Sequence, residues 1–167
     1  MDLGPADSDC DLRFIDAMIL HHEGAVVMAN DALKKPARPE LKKLAIAIAS
    51  DQDEEIIQMQ QWRKDWYPKA LNAPMAWNKE MNHMMAMKPD QMSMMSMNVN
   101  LGKADSDYDL RFMNAMVPHH EAAVVMAKDL AQKTKRPELQ KFAKDVVIAQ
   151  QSEIDQMNQW RKTWYGK

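Results

Sequence analysis

Two adjacent histidine pairs, His21-His22 and His119-His120, are the residues of this 167-residue chain best suited to chemistry. Methionine accompanies each: Met18 and Met28 around the first pair, Met116 and Met126 around the second. A thioether is a soft, uncharged donor that does not compete for protons, and a neutral imidazole joins it readily on a soft metal. Such a donor set, in two- or three-coordinate geometry, suits Cu(I) and Ag(I) far better than Mg, Ca or Mn. The competing reading is a His/Gln/Glu hydrogen-bond network that fixes helix register, because buried polar groups need partners in any case. Adjacency, repetition, the nearby methionines and the small Ala25 and Ala123 favour the metal.

Methionine is also the outlier of the composition. Of the 17 methionines, nine fall between Met75 and Met97, around the single His83. A core segment would hold other apolar residues too, and this one reads Met-Met-Ala-Met and Met-Ser-Met-Met-Ser-Met. Its spacing predicts a second, shallower site for capture and exchange of Cu(I), formed by His83 with Met81, Met84, Met85 and Met87. His83 could also take Cu(II) at the surface. The alternative is a flexible amphipathic linker lying over the rest of the molecule.

Other functions find little support. A formal net charge of −2 with mixed signs offers no basic face for phosphate, so nucleic acid is not an expected partner. No apolar run approaches the roughly 20 residues of a membrane-spanning helix. No Ser/His/Asp or Cys/His arrangement is repeated, and no enzymatic activity is expected. A di-iron oxidase needs a Glu from each of two helices and Glu-x-x-His from each of two others. The one match, Glu80 to His83, lies in the methionine-rich stretch. A structural or interaction module, its methionine surface docking peptides, is the third alternative. The lone Cys10 cannot form an internal disulfide, and no secretory signal is visible at Met1-Asp2-Leu3.

The elements that must position these residues come from an internal duplication. A shift of 98 residues aligns Asp7–Tyr67 with Asp105–Tyr165 without a gap, and 36 of the 61 positions are identical. The composition is rich in strong helix formers and has only four glycines, which favours an all-α fold. Each copy reads as two helices of about 27 residues, each about 40 Å long. The first begins at an Asp-Ser-Asp cluster able to supply N-cap oxygens and runs to about Lys35 or Lys133. Arg-Pro-Glu makes the turn, and the second helix runs to Trp66 or Trp164. Stripes such as Leu12, Ile15, Met18, Ile19, His22, Ala25, Val26 and Ala29 leave one hairpin half wet. The expectation is therefore one domain over 1–167: a four-helix bundle of two duplicated antiparallel hairpins, 7–67 and 105–165, joined by a long methionine-rich connection over 68–104.

Folding each hairpin about its turn sets His22 level with Gln52, and Met18 level with Glu55 or Ile56. His120 is likewise level with Gln150, and Met116 with Glu153. Because both histidine pairs sit at mid-height, they meet in one layer for either packing direction. Neighbouring residues stand about 100° apart on a helix, so His22 joins the central stripe and His21 falls on a flank. Gln52, Glu55, Gln150 and Glu153 would then hold the imidazole tautomers rather than bind metal. Pro118 and Gly24 weaken the helices beside the histidines and predict local opening for metal exchange.

The motif His-His-Glu-x-Ala-Val-x-Met-Ala, followed by Gln-x-x-Glu-Ile-x-x-Met-x-x-Trp, resembles the bacterial ferritin-like family catalogued as domain of unknown function 305. Together with the methionine-rich insert, it looks most like the CopM-like copper metallochaperones of that family. The resemblance covers both repeats. It implies an exported, periplasmic or extracellular, small helical bundle acting in copper homeostasis or resistance. It also implies core binding of Cu(I) or Ag(I) by His21, His22, His119 and His120, and a copper sensor or efflux protein as partner.

Overall fold

In the computed structural model, which describes residues 2–167, the chain forms α1 (Cys10–Leu33), α2 (Pro39–Trp66), β1 (Met75–Asn78), β2 (His83–Ala86), α3 (Pro89–Ser96), α4 (Tyr108–Lys133) and α5 (Pro137–Tyr165). The architecture is predominantly helical with one small two-stranded sheet. Proline opens α2, α3 and α5, where its fixed φ suits the first turn and its missing N–H is not needed. The Asp-Ser-Asp clusters do not cap α1 or α4 through a side chain, contrary to the sequence expectation. Asp7 instead accepts the Asp9 N–H at 3.0 Å, and Asp105 accepts that of Asp107 at 3.1 Å. Arginines one turn inside the helices hold the same carboxylates, Arg13 on Asp7 and Arg111 on Asp105.

The repeated contacts begin ahead of Asp7 and Asp105. The Arg13 guanidinium donates to the carbonyls of Leu3 (2.6 Å) and Pro5 (2.9 Å), and Arg111 donates to those of Leu101 (2.7 Å) and Lys103 (2.6 Å). Both wraps turn on a glycine in the left-handed region, Gly4 at φ +73° and Gly102 at φ +77°. Leu3 and Leu101 are buried beneath them.

α1 packs along α2, α4 packs along α5, and the two pairs meet through α1 and α4. The buried apolar residues fall into two clusters. One joins the first half of α1 (Phe14, Ile15, Met18) to the second half of α4 (Met126, Ala127, Leu130) and the start of α5. The other joins Ala25, Met28 and Ala29 to Phe112, Met113 and Met116. α1 and α4 are therefore antiparallel, and the histidines lie between the clusters. Matching ties close the two ends: Arg136 sits over Trp66 and pairs with Asp11, and Arg38 sits over Trp164 and pairs with Asp109.

The connection is more ordered than the alternative of a flexible amphipathic linker, and it adds a sheet to the expected all-α fold. β1 and β2 pair antiparallel, with Trp77 opposite Met84 and Asn78 opposite His83, around a turn in which Asn82 has φ +53°. Tertiary anchoring accounts for these strands better than local propensity does. The Asp16 carboxylate, 3 % exposed, accepts the Met75 N–H at 2.8 Å while Arg63 grips it at 2.5 Å. Met75, Ala76 and Met87 are buried, and α3 packs on α1. Both flanks of α1 are thus covered, which explains why its buried face is wider than the stripe read from the sequence. No helix among the described residues is long and apolar enough to cross a membrane.

Candidate metal centre

Position on two long antiparallel helices brings His21, His22, His119 and His120 into one layer, and all four are 0 % exposed. The imidazoles of His21 and His119 meet across the α1–α4 contact with ring centroids 3.7 Å apart and a 42° tilt. Within each pair the rings are 6.4 Å (His21–His22) and 6.1 Å (His119–His120) apart. This reverses the expected roles. His21 and His119 occupy the shared centre, whereas His22 and His120 turn toward their own hairpin partners. The reason is the wide buried face of α1 and α4, which leaves the supposed flank against the opposite helix pair.

Carboxylates hold the outer two rings. His22 Nε2 lies 2.6 Å from Glu55 Oε2, and His120 Nε2 lies 2.6 Å from Glu153 Oε2. A carboxylate accepts, so each Nε2 carries the hydrogen and, in the neutral ring, the lone pair is on Nδ1. His119 Nε2 donates to the Ser96 carbonyl at 3.1 Å. Gln52 and Gln150, expected to share this work, are buried in the same region, but their Oε1 atoms have no hydrogen-bond partner. Five ring nitrogens are likewise buried without a partner: Nδ1 of His22, His119 and His120, and both nitrogens of His21. Burial holds His21 well below the ordinary imidazole range, and the nearby His119, His22 and His120 push it the same way. Burial, reinforced by His120, takes His119 down to about 3. Both rings are neutral at pH 7, so a soft cation would displace no proton from them.

The four methionines singled out with the pairs are buried on either side of this layer. Met18 and Met126 belong to one apolar cluster and Met28 and Met116 to the other. The second candidate set does not form a pocket of its own. His83 is exposed, its Nδ1 donating to the Met84 carbonyl at 2.9 Å, and Met81 is 60 % exposed in the turn. Met84 and Met85 are consecutive on β2 and point to opposite faces, Met85 receiving the Asn78 amide at 3.1 Å. Met87 is part of the core. Among the described residues no three side chains of His, Cys, Asp or Glu group as a metal site.

Two residues of this site were not legible. Ser96 contributes only its main-chain carbonyl, which carries no sequence signal. Gly24 was read as a helix weakener, yet a Cβ there would stand 1.8 Å from the Ser96 oxygen. Its space is what admits the chain over the histidines.

The chain resembles several solved structures. CopM in its Cu(II)-bound form is 37 % identical with a TM-score of 0.75, covering 93 % of this chain and 97 % of that one. CopM has likewise been solved in Cu(I)-bound and Ag-bound forms, at TM-scores of 0.70 and 0.71. A DUF305 protein of Streptomyces coelicolor, described as a "putative secreted protein", is 26 % identical with a TM-score of 0.66, covering 88 % of each chain. A 50-residue stretch is 42 % identical to Uncharacterized protein L153 of Acanthamoeba polyphaga mimivirus, covering 30 % of this chain and spanning about a third (33 %) of that protein's length. Residues 11–161 match the family described as Domain of unknown function (DUF305), and the chain belongs to that family.

Proposed function

We propose that this chain is a four-helix bundle of two duplicated hairpins that binds Cu(I), and Ag(I) in its place, within the central histidine layer. In this reading it is a carrier or buffer in copper homeostasis and has no catalytic activity. One observation carries it: four fully buried imidazoles present five unpaired ring nitrogens in a layer bounded by methionine. A purely structural network would satisfy those atoms, since each unsatisfied buried polar group costs about 1–3 kcal/mol. A soft monovalent cation takes up the ring lone pairs without bringing a charge that needs several hard ligands. The Nδ1 atoms of His22, His119 and His120 and the unprotonated nitrogen of His21 are the available donors, one or two of them joined by thioether at any one ion. Met18, Met28, Met116 and Met126 are the thioethers closest to hand in the adjoining clusters. Glu55 and Glu153 fix the ring tautomers from outside. Exposed His83, with Met81 and with Met85 on the same face of β2, serves as a weaker surface site for Cu(I) or Cu(II). The likeness to CopM, solved with copper and with silver, supports the choice of metal, and the secreted relative supports a periplasmic or extracellular setting. A copper sensor or efflux protein is the partner class this role calls for.

Titration of Cu(I) against a competing chromogenic chelator tests the reading on three proteins. These are the parent, the variant with all four core histidines changed to alanine, and one with the exposed Met81 and Met94 changed to serine. The four-histidine variant loses more than the roughly 100-fold that removal of an outer partner of a ligand can cost, and the serine variant stays near the parent. Equal affinity in the parent and the four-histidine variant would move the metal to the connection.

A further inference from the structure

We infer that the Ser96 main-chain carbonyl, seated on Gly24, is the positioning group of His119, and that the connection thereby makes the duplicated core asymmetric. The inference rests on the proposed core site and adds to it a residue that sets one ligand's tautomer.

Ser96 is the last residue of α3, and Met97 follows in the left-handed conformation at φ +46°. A carbonyl in the last turn has no partner within its own helix and sits at the negative end of the helix dipole. It is therefore a ready acceptor, and His119 Nε2 fills it at 3.1 Å. A carbonyl oxygen can only accept, so the hydrogen is on Nε2 and the lone pair is on Nδ1, which is buried and without a partner. The same division of the ring is imposed on His22 by Glu55 and on His120 by Glu153. Three acceptors from three different helices thus leave the same nitrogen free on three rings. His21 has no acceptor on either nitrogen.

Gly24 makes the seat. Any Cβ at this position would lie 1.8 Å from the Ser96 oxygen and 2.7 Å from its carbon, both main-chain atoms that cannot swing aside. The duplicated position in the second copy is Ala122, where a side chain is accommodated. Past Ser96 the chain continues along α1, with Asn98, Val99 and Asn100 beside Val27, Met28 and Asp31.

The test uses the full-length protein with 15N-labelled histidine and two variants. Gly24→Ala lifts the Ser96 carbonyl directly, and a Gly-Ser-Gly insertion after Asn98 slackens the segment while leaving Gly24 in place. In the metal-free parent, His119 shows the nitrogen shifts of a pure Nε2–H imidazole. In each variant that retains the parent's helical circular dichroism, His119 becomes a tautomer mixture while His22 and His120 stay Nε2–H. Cu(I) affinity falls about tenfold, the lower end of the loss for an outer partner of a ligand. If Gly24→Ala does not fold, the insertion variant decides. A His119 that stays purely Nε2–H in a folded variant, or is Nδ1–H in the parent, overturns the inference. The tautomer readout needs no copper, so loss of the core-site reading would show separately, as absence of Cu(I)-induced shifts at all four histidines.

Discussion

The two halves of the molecule share most of their residues and nearly all of their scaffold contacts, yet only one carries the connection. Shared residues make shared geometry: Arg13 and Arg111 wrap equivalent segments, and Tyr67 and Tyr165 donate to the Ser8 and Ser106 carbonyls. His22–Glu55 and His120–Glu153 have the same 2.6 Å separation. At two of the positions where the copies differ, the connection is involved. Asp16, gripping Arg63 and the Met75 N–H, is replaced by the exposed Asn114 in the second copy, and the matching Arg161 has an unpaired Nε. Gly24, under Ser96, is replaced by Ala122. At these two positions divergence marks where a third element has docked.

The strongest way to break this comparison is at the anchors. Arg63→Ala leaves Asp16 buried without its charge partner and should lower stability by about 3–5 kcal/mol. Arg161→Ala, the same change in the other copy, should stay within about 0.5 kcal/mol. Urea unfolding of the two variants reads the difference, and equal losses would show that the connection is not held as described.

Acid should act next most strongly, through the centre the halves share. Folded His21 and His119 take up no proton near pH 6, whereas unfolded imidazoles titrate near 6.5. The unfolded chain then binds more protons, so stability is full above about pH 6.5 and falls as pH drops below it. The slope approaches about 1.4 kcal/mol per pH unit for each histidine. Unfolding free energies of the metal-free protein between pH 7 and 5 should show it, and His119→Leu should remove about one proton's share. Parallel pH profiles for parent and variant would contradict it.

Smaller effects sharpen the comparison. Ala122→Gly introduces the first copy's glycine where no strap needs it and should cost about 1 kcal/mol, the helix penalty alone. A thermal melt would check this. Met94→Ser, at a site 74 % exposed on α3, should change stability by less than about 0.5 kcal/mol. A large loss there would mean that α3 packs more tightly than its exposure shows.

Much of this architecture was legible because duplication and periodicity repeat what packing needs. Mid-helix placement put the histidines in one layer, and proline after Arg38 and Arg136 marked both turns. Which histidine faces the centre was not legible. That depends on α1 and α4 burying two faces, and the second face is supplied partly by the connection. The strands escaped detection because Met-Ala-Trp-Asn and His-Met-Met-Ala are held by Asp16 and by core packing, not by strand propensity. Ser96 and the true use of Gly24 were invisible for a related reason: one acts through its main chain and the other through a missing side chain.

The central claim is that imidazole nitrogen from both halves, rather than sulfur from the connection, holds the first Cu(I). X-ray absorption of the protein loaded with one equivalent of Cu(I) tests it directly. The account predicts a low-coordinate centre dominated by nitrogen scatterers with the multiple-scattering pattern of imidazole rings, joined at most by one sulfur. A shell made of sulfur alone would contradict it.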